Sequence, residues 1–166
     1  MTKFIALVSG KGGAGKTTAT LNIGQALTQM GRKVILVDAN LVTPNLGIHL
    51  GLLNPEGTVN RFLRKEKQLH EITYLHESGL SLIPASTSYA EYQKTNPQKL
   101  AELFEHLDDQ ADFVLVDAPS GLGYEVAEVL KNSDEVLVVV NPTLSSVMDA
   151  MKMIQMTTEH DNMIAG

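Results

Sequence analysis

The residues with the clearest chemistry lie between positions 10 and 18. Gly10-Lys11-Gly12-Gly13-Ala14-Gly15-Lys16-Thr17 fits the pattern G-x-x-x-x-G-K-[ST] without a mismatch. A triphosphate needs many hydrogen-bond donors at close range, and glycines allow backbone N–H groups to turn inward towards its oxygens. The pattern therefore predicts a phosphate-binding loop. The alternative, a flexible glycine turn, is disfavoured because the loop follows an apolar run and precedes a helical pattern.

Two side chains of this loop have separate predicted roles. Lys16 would bring a full positive charge to the β- and γ-phosphates, and the Thr17 hydroxyl is the expected magnesium ligand. ATP and Mg²⁺ are therefore the predicted cofactors. The predicted ATP-binding residues are Gly10, Lys11, Gly12, Gly13, Ala14, Gly15, Lys16, Thr17, Thr18 and Gly121.

Two carboxylates end apolar runs elsewhere in the chain. Asp117 closes Phe113-Val114-Leu115-Val116 and, with the phosphate loop present, is predicted to support the metal together with Thr17. Asp38 closes the run 34–37, and the segment 38–45 would form a first switch near the attacking water. For each aspartate the alternative is an ordinary turn residue; for Asp117 a helix cap is another.

A second switch is predicted directly after Asp117, in the segment 119–123. Gly121 could offer its N–H to the γ-phosphate, so that the segment would distinguish ATP from ADP. The alternative is a simple strand-to-helix turn.

The elements that must position these residues follow from the apolar pattern. Continuous apolar runs predict buried parallel strands, and amphipathic segments predict the helices between them. The predicted strands are 4–8, 34–37, 113–117 and 136–140, with a hairpin, or a short strand plus a sheet strand, at 72–76 and 80–83. The predicted helices are 17–30, 58–66, 97–107, 123–130 and 145–156. This alternation indicates an α/β fold: a doubly wound, mostly parallel sheet with helices on both faces.

Composition bounds the remaining possibilities. The 166 residues amount to about one domain, predicted to be a single P-loop domain over 1–166. The absence of cysteine excludes disulfides and thiolate metal sites within these residues. A net charge of −6 disfavours non-specific nucleic-acid binding. The one basic cluster, Arg61, Arg64, Lys65 and Lys67, is interpreted as a solvated helix face rather than a partner-binding patch.

The motifs together resemble one family. Residues 11–18 are similar to the deviant Walker A motif of the MinD/ParA family of P-loop ATPases, with its extra lysine after the first glycine. Residues 117–121 resemble that family's second switch, and residues 37–40 lie where its first switch begins. The resemblance runs along the whole chain in order and is greatest for MinD-like proteins.

The resemblance implies an ATPase that dimerises face to face around two ATP molecules. Lys11 would then reach the partner's nucleotide, and the output would be spatial positioning of a division site or another cargo through a regulatory or cargo protein. It implies Lys11, Lys16, Asp38 and Asn40 as catalytic residues and a cytoplasmic location, peripheral to a membrane in a longer protein.

Two departures from the family pattern qualify this expectation. Asn40 stands where MinD-like proteins usually carry Asp, and an amide can orient water but cannot take a proton. Slower hydrolysis is therefore expected. The chain also stops at residues 163–166, which look like the opening of another strand, whereas relatives continue into an adenine-recognition segment and a membrane helix. We therefore expect a truncated chain, in which membrane contact would need the missing segment.

Three other functions remain open. The protein could be an ATP-locked scaffold that does not hydrolyse ATP, a metallocluster carrier of the same superfamily, or a DNA-partition ATPase. The histidines show no metal spacing and are interpreted as surface or turn residues. The methionines of the last helix, Met148, Met151, Met153 and Met156, are expected to pack in the core rather than in a membrane.

Overall fold

A computed structural model describes all residues from 1 to 166, and one seven-stranded sheet forms its centre. The strands are β1 (Lys3–Val8), β2 (Val34–Asp38), β3 (Tyr74–Leu75), β4 (Ser81–Ile83), β5 (Phe113–Asp117), β6 (Glu135–Val138) and β7 (Met163–Ile164). Their order across the sheet is β3-β4-β2-β5-β1-β6-β7. Only β3 runs antiparallel to its neighbour, so the predicted mostly parallel sheet is confirmed.

Eight α-helices connect or flank these strands. They are α1 (Lys16–Gln29), α2 (Leu46–His49), α3 (Val59–Leu63), α4 (Leu69–Ile72), α5 (Tyr89–Gln93), α6 (Leu100–Leu107), α7 (Tyr124–Lys131) and α8 (Leu144–Glu159). A short 3₁₀ turn, Pro97–Lys99, leads into α6. None of these helices combines the length and the hydrophobicity that a membrane-spanning helix requires.

The two faces of the sheet are covered by different helices, as the doubly wound prediction requires. Alternate residues of β1 point to opposite faces: Ala6 and Val8 join a cluster of 25 buried residues with α3, α6 and α7, whereas Leu7 joins a smaller cluster. Leu21 and Leu27 of α1 pack against that smaller cluster. Helix α1 therefore covers one face, and its first residue, Lys16, comes to the carboxyl edge of the sheet.

Close contact between α1 and the sheet depends on Gly24. A Cβ atom built at this position would lie 2.7 Å from Leu36 Cδ2 and 3.3 Å from Leu80 Cδ2. Because contacts below about 3 Å are repulsive, a larger residue would require the Leu36 side chain or the helix to move. The glycine thus permits close packing between the helix that follows the phosphate loop and the sheet.

Several predicted boundaries differ from the structure. Segment 72–76 is the end of α4 plus the two-residue β3, because a capping box formed by Gln68 and Glu71 begins a helical turn there. Helix α5 was not predicted, since it has only five residues and only Tyr92 packs, half-buried, against the core. Strand β6 ends at Val138 rather than at 140.

The core-packing expectation for the methionines of α8 is only half correct. Met153 is fully buried and Met156 is half-buried, but Met148 and Met151 are more than half exposed. The four residues do not share one face, because helical spacing turns the first pair away from the sheet.

Candidate functional site

The phosphate loop connects β1 to α1, and its glycines adopt the conformations that the motif requires. Gly13 and Gly15 have φ angles of 77° and 99°, in the left-handed region that favours glycine. Gly10 has a different reason: a Cβ atom there would lie 2.5 Å from the carbonyl oxygen of Asp149 in α8. Glycine is therefore required by backbone conformation at positions 13 and 15 and by close contact with α8 at position 10.

The Lys16 side chain is held at the centre of this loop. It is 7% exposed, and its Nζ donates to Ser120 Oγ at 2.7 Å and to Ser9 Oγ at 3.1 Å. Burial lowers the pKa of Lys16, while the negative charges of Asp117 and Asp38 act in the opposite direction. An ammonium group held only by neutral hydroxyls can exchange them for phosphate oxygens, which bind it more strongly.

Thr17 and Asp117 meet beside this lysine, as predicted from their positions at a helix start and a strand end. Thr17 Oγ1 donates to Asp117 Oδ2 at 2.6 Å, and Asp117 Oδ1 is buried without a hydrogen-bond partner. Burial raises the pKa of Asp117, and the Thr17 hydrogen bond, Lys16 and His49 oppose it. A hydroxyl and a carboxylate with an unused oxygen are ligands that suit Mg²⁺, so the donor set fits the predicted metal.

Asp38 lies next to Asp117 in the sheet, because the two residues are register partners in β2 and β5. Its fully buried carboxyl group accepts hydrogen bonds from three backbone N–H groups, from Asn40 and Asn45 at 3.1 Å and from Leu46 at 2.9 Å. Burial, with the charge of Asp117, raises the pKa of Asp38 to about 8, against these three donors. Asp38 therefore anchors the first switch to the end of β2.

Asn40 makes its side-chain contacts within the first switch. Its Nδ2 donates to the Thr43 carbonyl at 2.8 Å, and its Oδ1 accepts from the Thr43 backbone N–H at 3.1 Å. Both ends of the amide therefore have a partner in the same loop. The predicted contact between Asn40 and an attacking water requires at least one of these bonds to open.

The Gly121 N–H already has a hydrogen-bond partner, whereas the Lys11 ammonium group has none. The Gly121 N–H donates to the Ser9 carbonyl at 3.0 Å, so the predicted contact with a γ-phosphate needs that bond to break. The φ angle of Gly121 is 91°, which explains the glycine in the second switch. Lys11 is exposed, and its ammonium group makes no hydrogen bond or ion pair.

Most of the predicted site residues line one cleft of about 370 Å³ at the carboxyl edge of the sheet. The predicted residues that do not line it are Gly10, Lys11, Ala14, Asp38 and Gly121. The sequence analysis missed two side chains here, Ser120 as a partner of Lys16 and His49, which was interpreted as a surface or turn residue. His49 is exposed, but it lines the cleft. The lining residues are Gly12, Gly13, Gly15, Lys16, Thr17, Thr18, Asn40, Thr43, Asn45, His49, Asp117 and Ser120.

The basic cluster lies away from this cleft and is largely neutralised. Arg61 pairs with Glu91 at 3.1 Å and Arg64 pairs with Glu66 at 2.7 Å. Lys65 and Lys67 each lie within 4 Å of a glutamate. A cleft of about 430 Å³ opens beside the two lysines, but it contains no glycine loop and no unpartnered buried carboxylate. The chemistry therefore concentrates at the phosphate loop.

Comparison with known proteins gives the same family along the whole chain. Residues 2–164 match a family model described as an AAA domain. An uncharacterized ATP-binding protein of Methanocaldococcus jannaschii is 36% identical over 153 residues, which cover 92% of this chain and 58% of that protein. The septum site-determining protein MinD of Synechocystis is 33% identical over 97% of this chain and 61% of its own length. The chain thus spans less than two thirds of these relatives.

A solved structure gives the same result for the fold. MinD of Pyrococcus horikoshii, solved in complex with Mg-ADP, superposes with a TM-score of 0.94 at 34% sequence identity, over 100% of this chain and 69% of that one. Sequence identity above 30% across this coverage establishes family membership as well as fold. The chain therefore belongs to this AAA-domain family and, within it, to the MinD/ParA-like ATP-binding proteins.

Proposed function

We propose that this protein binds and slowly hydrolyses ATP with magnesium, and that ATP closes a homodimer that hydrolysis reopens. One observation carries the proposal: a buried ammonium group, Lys16, and a carboxylate with an unused oxygen, Asp117, meet at the glycine loop. Positive charge for phosphate and oxygen ligands for a metal are what a magnesium–nucleotide complex needs.

Different groups of the site would bind the phosphates and the metal. Backbone N–H groups of residues 12–15 would approach phosphate oxygens, and Lys16 would leave Ser120 for the β- and γ-phosphates. Thr17 and Asp117 would hold magnesium, Asp117 through a water molecule. When bound there, magnesium would neutralise negative charge that develops on the phosphate oxygens during transfer.

Lys11 is proposed to act on the partner's nucleotide. Lys16 already serves the phosphates of its own chain, and Lys11 is exposed with no partner for its charge. A second cation brought from the other protomer would stabilise the transition state, as arginine fingers do in other nucleotide hydrolases. Hydrolysis would therefore depend on the dimer.

Hydrolysis is proposed to be slow because Asn40 is a poor activator of water. Its amide cannot take a proton, and both ends are bonded to Thr43. Phosphoryl transfer depends mainly on positioning and electrostatics, so activity need not vanish. A slow step would give an ATP dimer of long lifetime.

The proposed output is spatial positioning, in the cytoplasm or peripherally at a membrane in a longer protein. The relative in Synechocystis is named for septum-site determination, which favours a division site over other cargo. A regulatory or cargo protein would read the dimer state. A non-hydrolysing scaffold, a metallocluster carrier and a DNA-partition ATPase are the alternatives, and the lack of cysteine and the acidic charge count against the last two.

The full-length protein tests this proposal in three measurements. Calorimetry with MgATP should give saturable heat, sedimentation should give monomers with ADP and dimers with ATP, and phosphate release should be slow but measurable. Lys16→Ala should abolish the heat, whereas Lys94→Ala, a control at an exposed lysine, should not. Lys11→Ala should retain binding but lose hydrolysis.

The results test nucleotide binding and hydrolysis separately. No heat with the parent protein would refute nucleotide binding. Binding and dimerisation without phosphate release would favour the scaffold alternative.

A further inference from the structure

His49 is an ionisable side chain of the cleft that has no role in the proposed function. It is the last residue of α2 and lines the same cleft as Lys16 and Asp117. It is close enough to Asp117 for its charge to influence that carboxyl group. The imidazole therefore lies within the environment proposed for magnesium and the terminal phosphate.

One nitrogen of the His49 ring is fixed by the backbone. His49 Nδ1 lies 2.8 Å from the carbonyl oxygen of Asn45, one helical turn earlier. A carbonyl oxygen can only accept a hydrogen bond, so Nδ1 carries the hydrogen. In the neutral ring Nε2 then carries the lone pair, and it has no hydrogen-bond partner within the chain. The basic nitrogen is thus left for a bound molecule.

The position of this ring is tied to the end of β2. The backbone N–H groups of Asn45 and Leu46 donate to Asp38 Oδ2 at 3.1 Å and 2.9 Å. The buried carboxyl group of Asp38 therefore fixes Asn45, whose carbonyl oxygen accepts the hydrogen bond from the imidazole. A chain of contacts runs from the sheet through Asn45 to His49.

The other side chains of the cleft are poorly suited to take a proton from water. Asn40 is an amide, and Thr43 occupies both of its ends. Asp117 accepts the Thr17 hydroxyl and faces the metal position. His49 is the remaining side chain in the cleft with an unbonded basic nitrogen that can take a proton from water.

We propose that His49 is the general base of the hydrolysis reaction, an inference that rests on the proposed function. Nε2 accepts a hydrogen bond from the water that attacks the γ-phosphorus. As the bond from the water oxygen to phosphorus forms, the bond from phosphorus to the β–γ bridging oxygen breaks, and its electron pair leaves with ADP. The proton of the water passes to Nε2 and then to solvent, which yields ADP and inorganic phosphate.

The test compares three histidine variants in the full-length protein. His49→Asn places an amide N–H where Nδ1 lies, so the bond to the Asn45 carbonyl can persist while Nε2 is lost. His106→Asn is the matched control, because His106 Nδ1 makes the same bond to the Glu102 carbonyl at 2.7 Å outside the cleft. In His49→Gln the side-chain amide reaches the Nε2 position but is not basic. This variant replaces His49→Asn in the test if the asparagine variant does not fold.

Calorimetry with MgATP and single-turnover phosphate release separate binding from chemistry. We expect His49→Asn and His49→Gln to bind MgATP within about twofold of the parent and to release phosphate about 100-fold more slowly, a typical loss for a general base. His106→Asn should match the parent in both.

The outcomes distinguish this inference from the proposed function. If the parent binds and hydrolyses ATP and His49→Asn does so at the same rate, the role of His49 is refuted and the ATPase proposal stands. Loss of MgATP affinity in proportion to rate would also refute a base. A parent that binds ATP but releases no phosphate refutes both hydrolysis and its base, and a parent that binds no ATP refutes the proposed function itself.

Discussion

Asp38 and Asp117 are paired in register on neighbouring parallel strands, and both carboxyl groups are buried, with 0% and 2% exposure. Bringing two carboxyl groups together away from water costs stability, because burial and like charge both disfavour ionisation. Burial raises the pKa of both carboxyl groups, and the charge of Asp117 raises the pKa of Asp38 further. The arrangement suits a cation and is unfavourable without one, which gives the first two predictions.

Replacing Asp117 by asparagine should stabilise the nucleotide-free protein. The change removes a buried charge next to Asp38, and the Thr17 hydroxyl can still donate to the amide oxygen. We expect a gain of about 1 kcal/mol, or about 3 °C in Tm at pH 8, together with loss of magnesium-dependent nucleotide binding. Thermal unfolding with and without MgADP measures both. Asp161→Asn, at an exposed carboxyl group, is the control and should change neither.

Stability without nucleotide should fall as pH rises. The folded protein keeps a proton on Asp38 up to about pH 8, whereas the unfolded chain releases it near the ordinary value of 3.8. A raised folded pKa gives stability that is complete below the unfolded pKa and is lost as pH rises through the folded pKa. We expect the free energy of unfolding to decrease between pH 6 and 8, by at most about 1.4 kcal/mol per pH unit. Denaturant titrations at several pH values measure this decrease, which should be smaller in Asp117→Asn. A free energy of unfolding that rises with pH would contradict the prediction.

Ser120→Ala should tighten ADP binding. In the structure Lys16 must leave the Ser120 hydroxyl, 2.7 Å away, before it can reach a phosphate. Removing that partner destabilises the nucleotide-free state by about 1 kcal/mol, so we expect about fivefold higher affinity for MgADP by calorimetry. Ser145→Ala, at an exposed serine outside the cleft, is the control. Weaker binding in Ser120→Ala would mean that Ser120 contacts the nucleotide.

Alanine substitutions at two glycines of the loop should impair different properties of the protein. A Cβ atom at Gly10 would meet the Asp149 backbone at 2.5 Å, so Gly10→Ala should lower stability by about 2 kcal/mol, or roughly 6 °C in Tm. A Cβ atom at Gly12 would meet only Ser120 Oγ, at 3.9 Å, so Gly12→Ala should fold normally and lose nucleotide affinity. Gly123→Ala, with no atom within 4 Å, is the control for the Tm measurement. Equal Tm values for Gly10→Ala and Gly12→Ala would be inconsistent with this contact.

Asn40→Asp should raise ATP turnover, because a carboxylate can accept a proton and no longer donates to Thr43. If His49 supplies the base in the parent, adding Asn40→Asp to the His49→Asn variant should raise the reduced rate of that variant at least about tenfold. Single-turnover phosphate release in the single and double variants gives the answer. Equal rates for Asn40→Asp and the parent would remove the idea that Asn40 slows hydrolysis.

The sequence alone determined the features that depend on local spacing. The glycine pattern of residues 10–17 requires a loop with left-handed positions, and the four-residue apolar runs before Asp38 and Asp117 require buried strands with carboxylates at their ends. Helical and strand periodicities are properties of a short stretch of backbone. The fold class and the family could therefore be predicted, although short elements such as α5, which contains no fully buried residue, could not.

Only the tertiary structure decided which distant side chains meet. Strand β5 lies between β2 and β1, so Asp117 comes beside both Asp38 and the phosphate loop, and the second switch brings Ser120 to Lys16, 104 positions away. His49 enters the cleft because Asp38 holds the backbone of the preceding turn. Such contacts depend on strand order and long-range packing, which no local pattern encodes.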